Sequence, residues 1–166
     1  SSCREVTMHL IRPRVLAFAL AVVSVLTVAA ATPADVIADL SSRGYYIESG
    51  SGASDTCVSE SVSDARSDGG NLHIVVLVDE PGGGATTFSG ATLTALDTPG
   101  TVLTVAPQTV GWETDGDIWT QDQLNDALDV SLDERSDDAV VRTFVNVLTG
   151  TDRSCPTGSA GASPGG

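Results

Sequence analysis

Glu113, Asp115 and Asp117 alternate along a short stretch, with Gly116 between the last two. Carboxylate oxygens at this spacing suit a hard divalent cation, so Ca²⁺ or Mg²⁺ is the cofactor the pattern could hold. The stretch does not complete an EF-hand. Counted from Glu113, Ile118 stands where glycine belongs and Leu124 where a bidentate glutamate belongs. A metal site would need a further donor, and Asp79 or Glu80, expected at a neighbouring strand end, is the natural source. The candidate metal ligands are therefore Asp79, Glu113, Asp115 and Asp117. The alternative is a solvated acidic turn. Trp112 and Trp119 bracket the stretch and could shield a site or cap the edge of the core.

Other chemistries find little support. The chain has no lysine, which excludes a Schiff-base lysine and a phosphate-loop lysine. His73 is the only histidine after the N-terminal apolar run. It lies inside the most β-prone segment, so a packed, hydrogen-bonded core residue is expected rather than a catalytic base. No nucleophile elbow accompanies it. Gly82-Gly83-Gly84 has the spacing of neither a dinucleotide fingerprint nor a phosphate loop and reads as a flexible connection. No catalytic residue is assigned. Twenty-two acidic residues against eight arginines give a formal net charge of −14. Such a charge repels nucleic-acid phosphates and anionic lipid head groups and favours cations.

Arg12 and Arg14 precede an apolar run from Val15, and Ala29-Ala30-Ala31 follows as a small-residue exit. Residues 1–31 thus read as a signal peptide, or as an N-terminal membrane anchor if uncleaved. The 17 residues from Val15 to Ala31 are at the short edge of what spans a bilayer. Either way the remainder is expected outside the cytoplasm, touching a membrane only through this segment. Cys57 and Cys155 are then the remaining cysteines. In an oxidising compartment they would pair and tether the C-terminal tail to the helix bearing Cys57; two free thiols are the alternative.

The elements that must position these residues follow from period and punctuation. Thr32-Pro33-Ala34-Asp35 opens a helix that Gly44 closes. Tyr45-Tyr46-Ile47 is a short strand, and a second helix runs from Ser54 or Asp55 to Ser67. Leu72–Val78 and Thr101–Ala106 are continuous apolar strands of the kind covered on both faces. A weaker helix is expected over Thr87–Leu96, and an antiparallel edge strand over Thr109–Glu113, with an acidic loop to Asp117. Thr120 to Gln123 matches a capping box. It opens a helix with Leu124, Ala127, Leu128, Ser131 and Leu132 on one face. A last helix spans Asp138–Leu148, and residues 151–166 form a Gly/Ser/Pro-rich tail expected to be disordered apart from Cys155. The fold class is α/β: a three-layer α/β/α sandwich with a mainly parallel four-stranded sheet and one antiparallel edge strand. Ligand sites in such sheets fall at the carboxyl ends of the strands.

From Thr101 to Gly150 the order of features resembles the second half of the TPM domain. The matching parts are the buried strand Val102 to Pro107, the short strand ending Gly111-Trp112-Glu113, the capped helix with Leu124 to Leu128, and the last helix with Phe144 and Leu148. The upstream strand Ile74 to Val78 fits that family's central strand, so the resemblance covers most of 33–150. It implies an exported domain, since such proteins commonly carry a signal peptide and often a trailing membrane helix. No second apolar run follows here. It also implies an accessory role toward another envelope or membrane protein, or, as the alternative, divalent-metal-dependent phosphatase activity. The family's link between acidic turns and cations would touch Asp79, Asp115 and Asp117. Asp115-Gly116-Asp117 stands where the family's basic, glycine-rich stretch belongs, which weakens phosphate binding.

Overall fold

The computed structural model describes residues 29–156. Most of the expected signal or anchor segment, and the tail beyond 156, lie outside the described residues. Nine elements follow in order: α1 (Pro33–Arg43), β1 (Tyr45–Ile47), α2 (Asp55–Ser67), β2 (Leu72–Val76), α3 (Gly84–Leu96), β3 (Thr101–Val105), β4 (Val110–Thr114), α4 (Gln121–Ser131) and α5 (Asp137–Thr149). The sheet order is β1-β2-β3-β4. β1 and β3 run parallel to β2, and β4 runs antiparallel to β3. This is the expected α/β architecture with its antiparallel edge.

Every residue of β2 and β3 is buried. Alternate residues feed two cores, as the two-residue period of a strand requires. Leu72, Ile74, Val76, Leu103 and Val105 pack with α2, α4 and α5 through Val58, Leu124, Val141 and Phe144. Val75, Leu77, Val102 and Ala106 pack with α1 and α3 through Val36, Leu40, Phe88 and Leu93. Helices therefore cover both faces.

Local signals set most helix ends. Asp35 accepts hydrogen bonds from the Thr32 amide at 2.8 Å and its hydroxyl at 2.7 Å, and Gly44 ends α1 with φ +87°. The Ser54 and Ser136 hydroxyls accept from the amides of Cys57 and Ala139. The Thr120–Gln123 capping box forms as expected.

Some boundaries differ. α3 starts at Gly84 rather than Thr87, so Gly82-Gly83-Gly84 is an ordered helix entrance and not a flexible connection. Gly83 and Gly84 adopt φ of +87° and +83°, and the Ala85 amide donates to Thr109 Oγ1 at 2.9 Å. That acceptor comes from the far side of β3, beyond the reach of local reading. β4 runs Val110–Thr114, so the edge strand begins and ends one residue later than expected and Glu113 is not part of the acidic loop. Leu132 is 53% exposed. It is the residue after α4 and has rotated roughly 80° from Leu124 around the helix.

α3 lies close against β4. A Cβ at Gly111 would meet Thr86 Oγ1 at 2.3 Å and the Thr86 amide nitrogen at 2.5 Å. Ser89 bonds Thr104 Oγ1 at 2.8 Å and donates to the Gly111 carbonyl at 3.2 Å. Gly111→Ala is expected to destabilise the domain by about 1–3 kcal/mol, since backbone rather than a flexible side chain would have to yield. Urea unfolding checks this.

Candidate functional site

The carboxyl edge of the sheet carries a groove of about 190 Å³. One wall is the β3–β4 connection, Val105 to Val110, and the other is the α4–α5 connection with Leu132, Glu134, Arg135 and Asp137. Two glutamates order this edge. Glu80 accepts from the Gln108 amide at 2.9 Å and from the Thr109 hydroxyl. Glu48 accepts from the Val78 amide at 2.7 Å. These carboxylates satisfy amides that the ends of the ladder leave unpaired. Thr109 joins the two parts, holding Glu80 while its oxygen receives the α3 amide. Arg135 makes no ion pair among the described residues.

The four candidate metal ligands are not brought together. Asp79 follows β2 at the carboxyl edge and is exposed. β4 runs antiparallel to β3 with Thr101 opposite Thr114, so Asp115 and Asp117 lie beyond the opposite edge. The length of a strand, roughly 13 Å, separates the two groups. Glu113 turns toward α3, where its Cγ would sit 3.4 Å from a Cβ on Gly90. Asp115 accepts from the Gly100 amide at 2.9 Å. Asp117 accepts from the amides of Asn71 at 3.0 Å and Ile118 at 2.8 Å. Asn71 and Gly100 stand just before β2 and β3, so these two aspartates close the amino edge of the sheet. Trp119 also caps this edge. It is 5% exposed and lies so close over Gly70 that a Cβ there would meet its ring at 2.0 Å.

A disulfide joins Cys57 of α2 to Cys155 beyond α5, with 4.9 Å between their Cα atoms. Asp138 offers a ligand atom within 4.8 Å of both sulfurs, and this is the one such cluster of three among the described residues. Both sulfurs are engaged in the bond, which leaves no thiolate for a metal. Two turns further along α2, Asp64 takes Arg142 of α5 at 2.9 Å and Arg153 at 2.7 Å. Arg142 is 4% exposed. Nothing local in the sequence names its partner, although an arginine among the apolar residues Val140, Val141, Phe144 and Val145 is the signal that it must find an acid.

His73 is buried, but neither ring nitrogen has a hydrogen-bond partner among the described residues. The packed core histidine is present without the expected bonds. Burial, and then the Arg66 charge, lower its pKa below 6.5, while the Leu40 backbone and Asp117 act the other way.

A family model described as "Membrane protein Rv1476" matches residues 13–157. The chain belongs to the membrane protein Rv1476 family. The matched span includes the apolar run from Val15, and a membrane setting accords with the family description. No curated protein and no solved structure matches the chain. No helix of the described residues is long and apolar enough to cross a membrane.

Two outcomes are expected. Because the fold holds His73 neutral, its contribution is intact above the unfolded value near 6.5 and is lost as pH falls below it. His73→Gln should therefore flatten the acid side of the stability–pH curve below 6.5, read by urea midpoints across pH. Replacing Cys57 and Cys155 by serine should remove about 4–5 kcal/mol, because the bond closes a separation of 98 residues. Denaturant unfolding of the double variant measures the loss.

Proposed function

We propose that this protein is a non-catalytic, extracytoplasmic accessory module of TPM type, which binds another membrane or envelope protein through the carboxyl edge of its sheet. The observation that carries the reading is the composition and position of that edge. Leu132, Val130 and Val78 are exposed large apolar side chains, and Leu132 lines the groove. Asp79, Glu134 and Asp137 stand around them, with Arg135 as the one cation lining the groove. Apolar contact surrounded by carboxylates suits a partner segment that mixes apolar and basic residues.

The same edge receives the chain from its N-terminal segment. Ala30, Ala31, Thr32 and Pro33 form a second groove with Pro81, Gly82, Thr87 and Phe88, beside the entrance to α3. An N-terminal segment kept in the bilayer would hold this edge toward the membrane. The acid-rich surface would be repelled by anionic lipid. A basic extracytoplasmic loop of a neighbouring membrane protein is therefore a better occupant than the lipid surface. The phosphatase alternative would require Asp79 and the Asp115–Asp117 turn around one ion, and they sit at opposite edges of the sheet.

Site-specific photo-crosslinking in intact membranes tests the reading. A crosslinker at Leu132 should give a discrete adduct that weakens with Glu134→Arg, while one at Ile118, exposed at the opposite edge, should not. Equal labelling from both positions, or an adduct indifferent to the charge reversal, would count against it.

A further inference from the structure

We propose that Cys155 is a thiol-exchange site: an incoming small thiol attacks its sulfur, and Cys57 departs as the leaving thiolate. Access to the bond is one-sided. Cys57 is 0% exposed beneath α2 and α5. Cys155 is half-buried and lines a groove of about 350 Å³ between α5 and residues 152–155. A nucleophile reaching the bond along this groove meets Cys155 Sγ first.

The leaving side is prepared by the fold. Cys57 is the third residue of α2, and Ser54 Oγ accepts from its amide at 3.3 Å. A thiolate in the first turn of a helix is favoured by the positive end of the helix dipole, while burial of Cys57 opposes it. The Asp138 carboxylate works against that charge, but its Oδ1 is engaged by the Ser54 amide at 2.7 Å. The Asp138 backbone oxygen lies 3.6 Å from Cys57 Sγ and 3.5 Å from Cys155 Sγ, so it can accept from either thiol once the bond is open.

The step is balanced. The thiolate's electron pair forms a new S–S bond to Cys155 as the Cys57–Cys155 bond breaks. That bond's pair goes to Cys57 Sγ, which then takes a proton from water. A second thiol attacking the outer sulfur leaves the chain with two free thiols and releases the symmetrical disulfide of the reagent. The opened segment is still tied at its root. Arg153 holds Asp64, Asn146 Nδ2 donates to the Arg153 carbonyl at 2.8 Å, and Asn146 Oδ1 accepts from the Thr151 hydroxyl at 3.0 Å and the Arg153 amide at 3.3 Å. Asp64 also holds Arg142, so α2 and α5 stay joined when the bond opens.

The test uses the full oxidised chain. It is incubated with excess glutathione under native conditions, quenched in acid and mapped by peptide mass spectrometry. The mixed disulfide is expected on Cys155 over Cys57 by at least about tenfold, because exchange depends on which sulfur is reached and which leaves more easily. An adduct on Cys57, equal modification of both, or no adduct on the folded chain where the urea-unfolded chain reacts overturns the proposal.

Discussion

The pairing of β2 with β3, buried on both faces, is the constraint on which the rest of the structure depends. Ten residues in two adjacent parallel strands leave no side chain for water. Each face must then be covered, and two parallel strands must be joined by a crossover that returns the chain to the same end. α3 is that crossover, and α2 plays the same part between β1 and β2. The aliphatic core follows directly. With few aromatic residues to fill volume, Val and Leu pack against small residues, and Gly111 and Ser89 let α3 approach the sheet closely.

A sheet of this kind leaves unpaired amides at both ends of its strands, and this acidic chain closes them with carboxylates. Glu48 and Glu80 serve the carboxyl edge, Asp115 and Asp117 the amino edge. An ionised acceptor on a backbone amide is stronger than a neutral one. Part of the negative charge is thus structural rather than merely solvating. Asp79 and Glu134, which accept no backbone amide among the described residues, and Asp137, which accepts the Gly52 amide at 3.1 Å, give the groove edge its sign.

The second organising feature is the clasp between α2 and α5. A buried arginine needs a partner, and a carboxylate on the neighbouring helix supplies it at little cost to packing, because Asp64 remains partly open to solvent. The disulfide lies at the other end of the same helix pair. Helix packing, ion pair and covalent bond therefore all act on one interface, and the segment after α5 is bound by the two outer ones.

Much of this architecture could be read without coordinates. The β-branched runs announced both buried strands, Thr32-Pro33 and Thr120-Gln123 marked helix starts, and Gly44 and Gly150 marked stops, because these signals act within one or two turns of chain. A groove does lie at the carboxyl edge, beside the turn after Ala106. That Asp79 stays apart from Asp115 and Asp117 was not legible in that way. Alternating acids look alike whether they bind a cation or a backbone amide, and only the antiparallel sense of β4 puts them at the far edge. The early start of α3 depended on Thr109, the burial of Arg142 on Asp64, and the missing partners of His73 on the packing around it. Sequence alone determined the elements and the class of fold, because propensity, capping and periodicity are local. Tertiary structure decided which polar groups meet, because that depends on strand direction and helix packing between residues tens of positions apart.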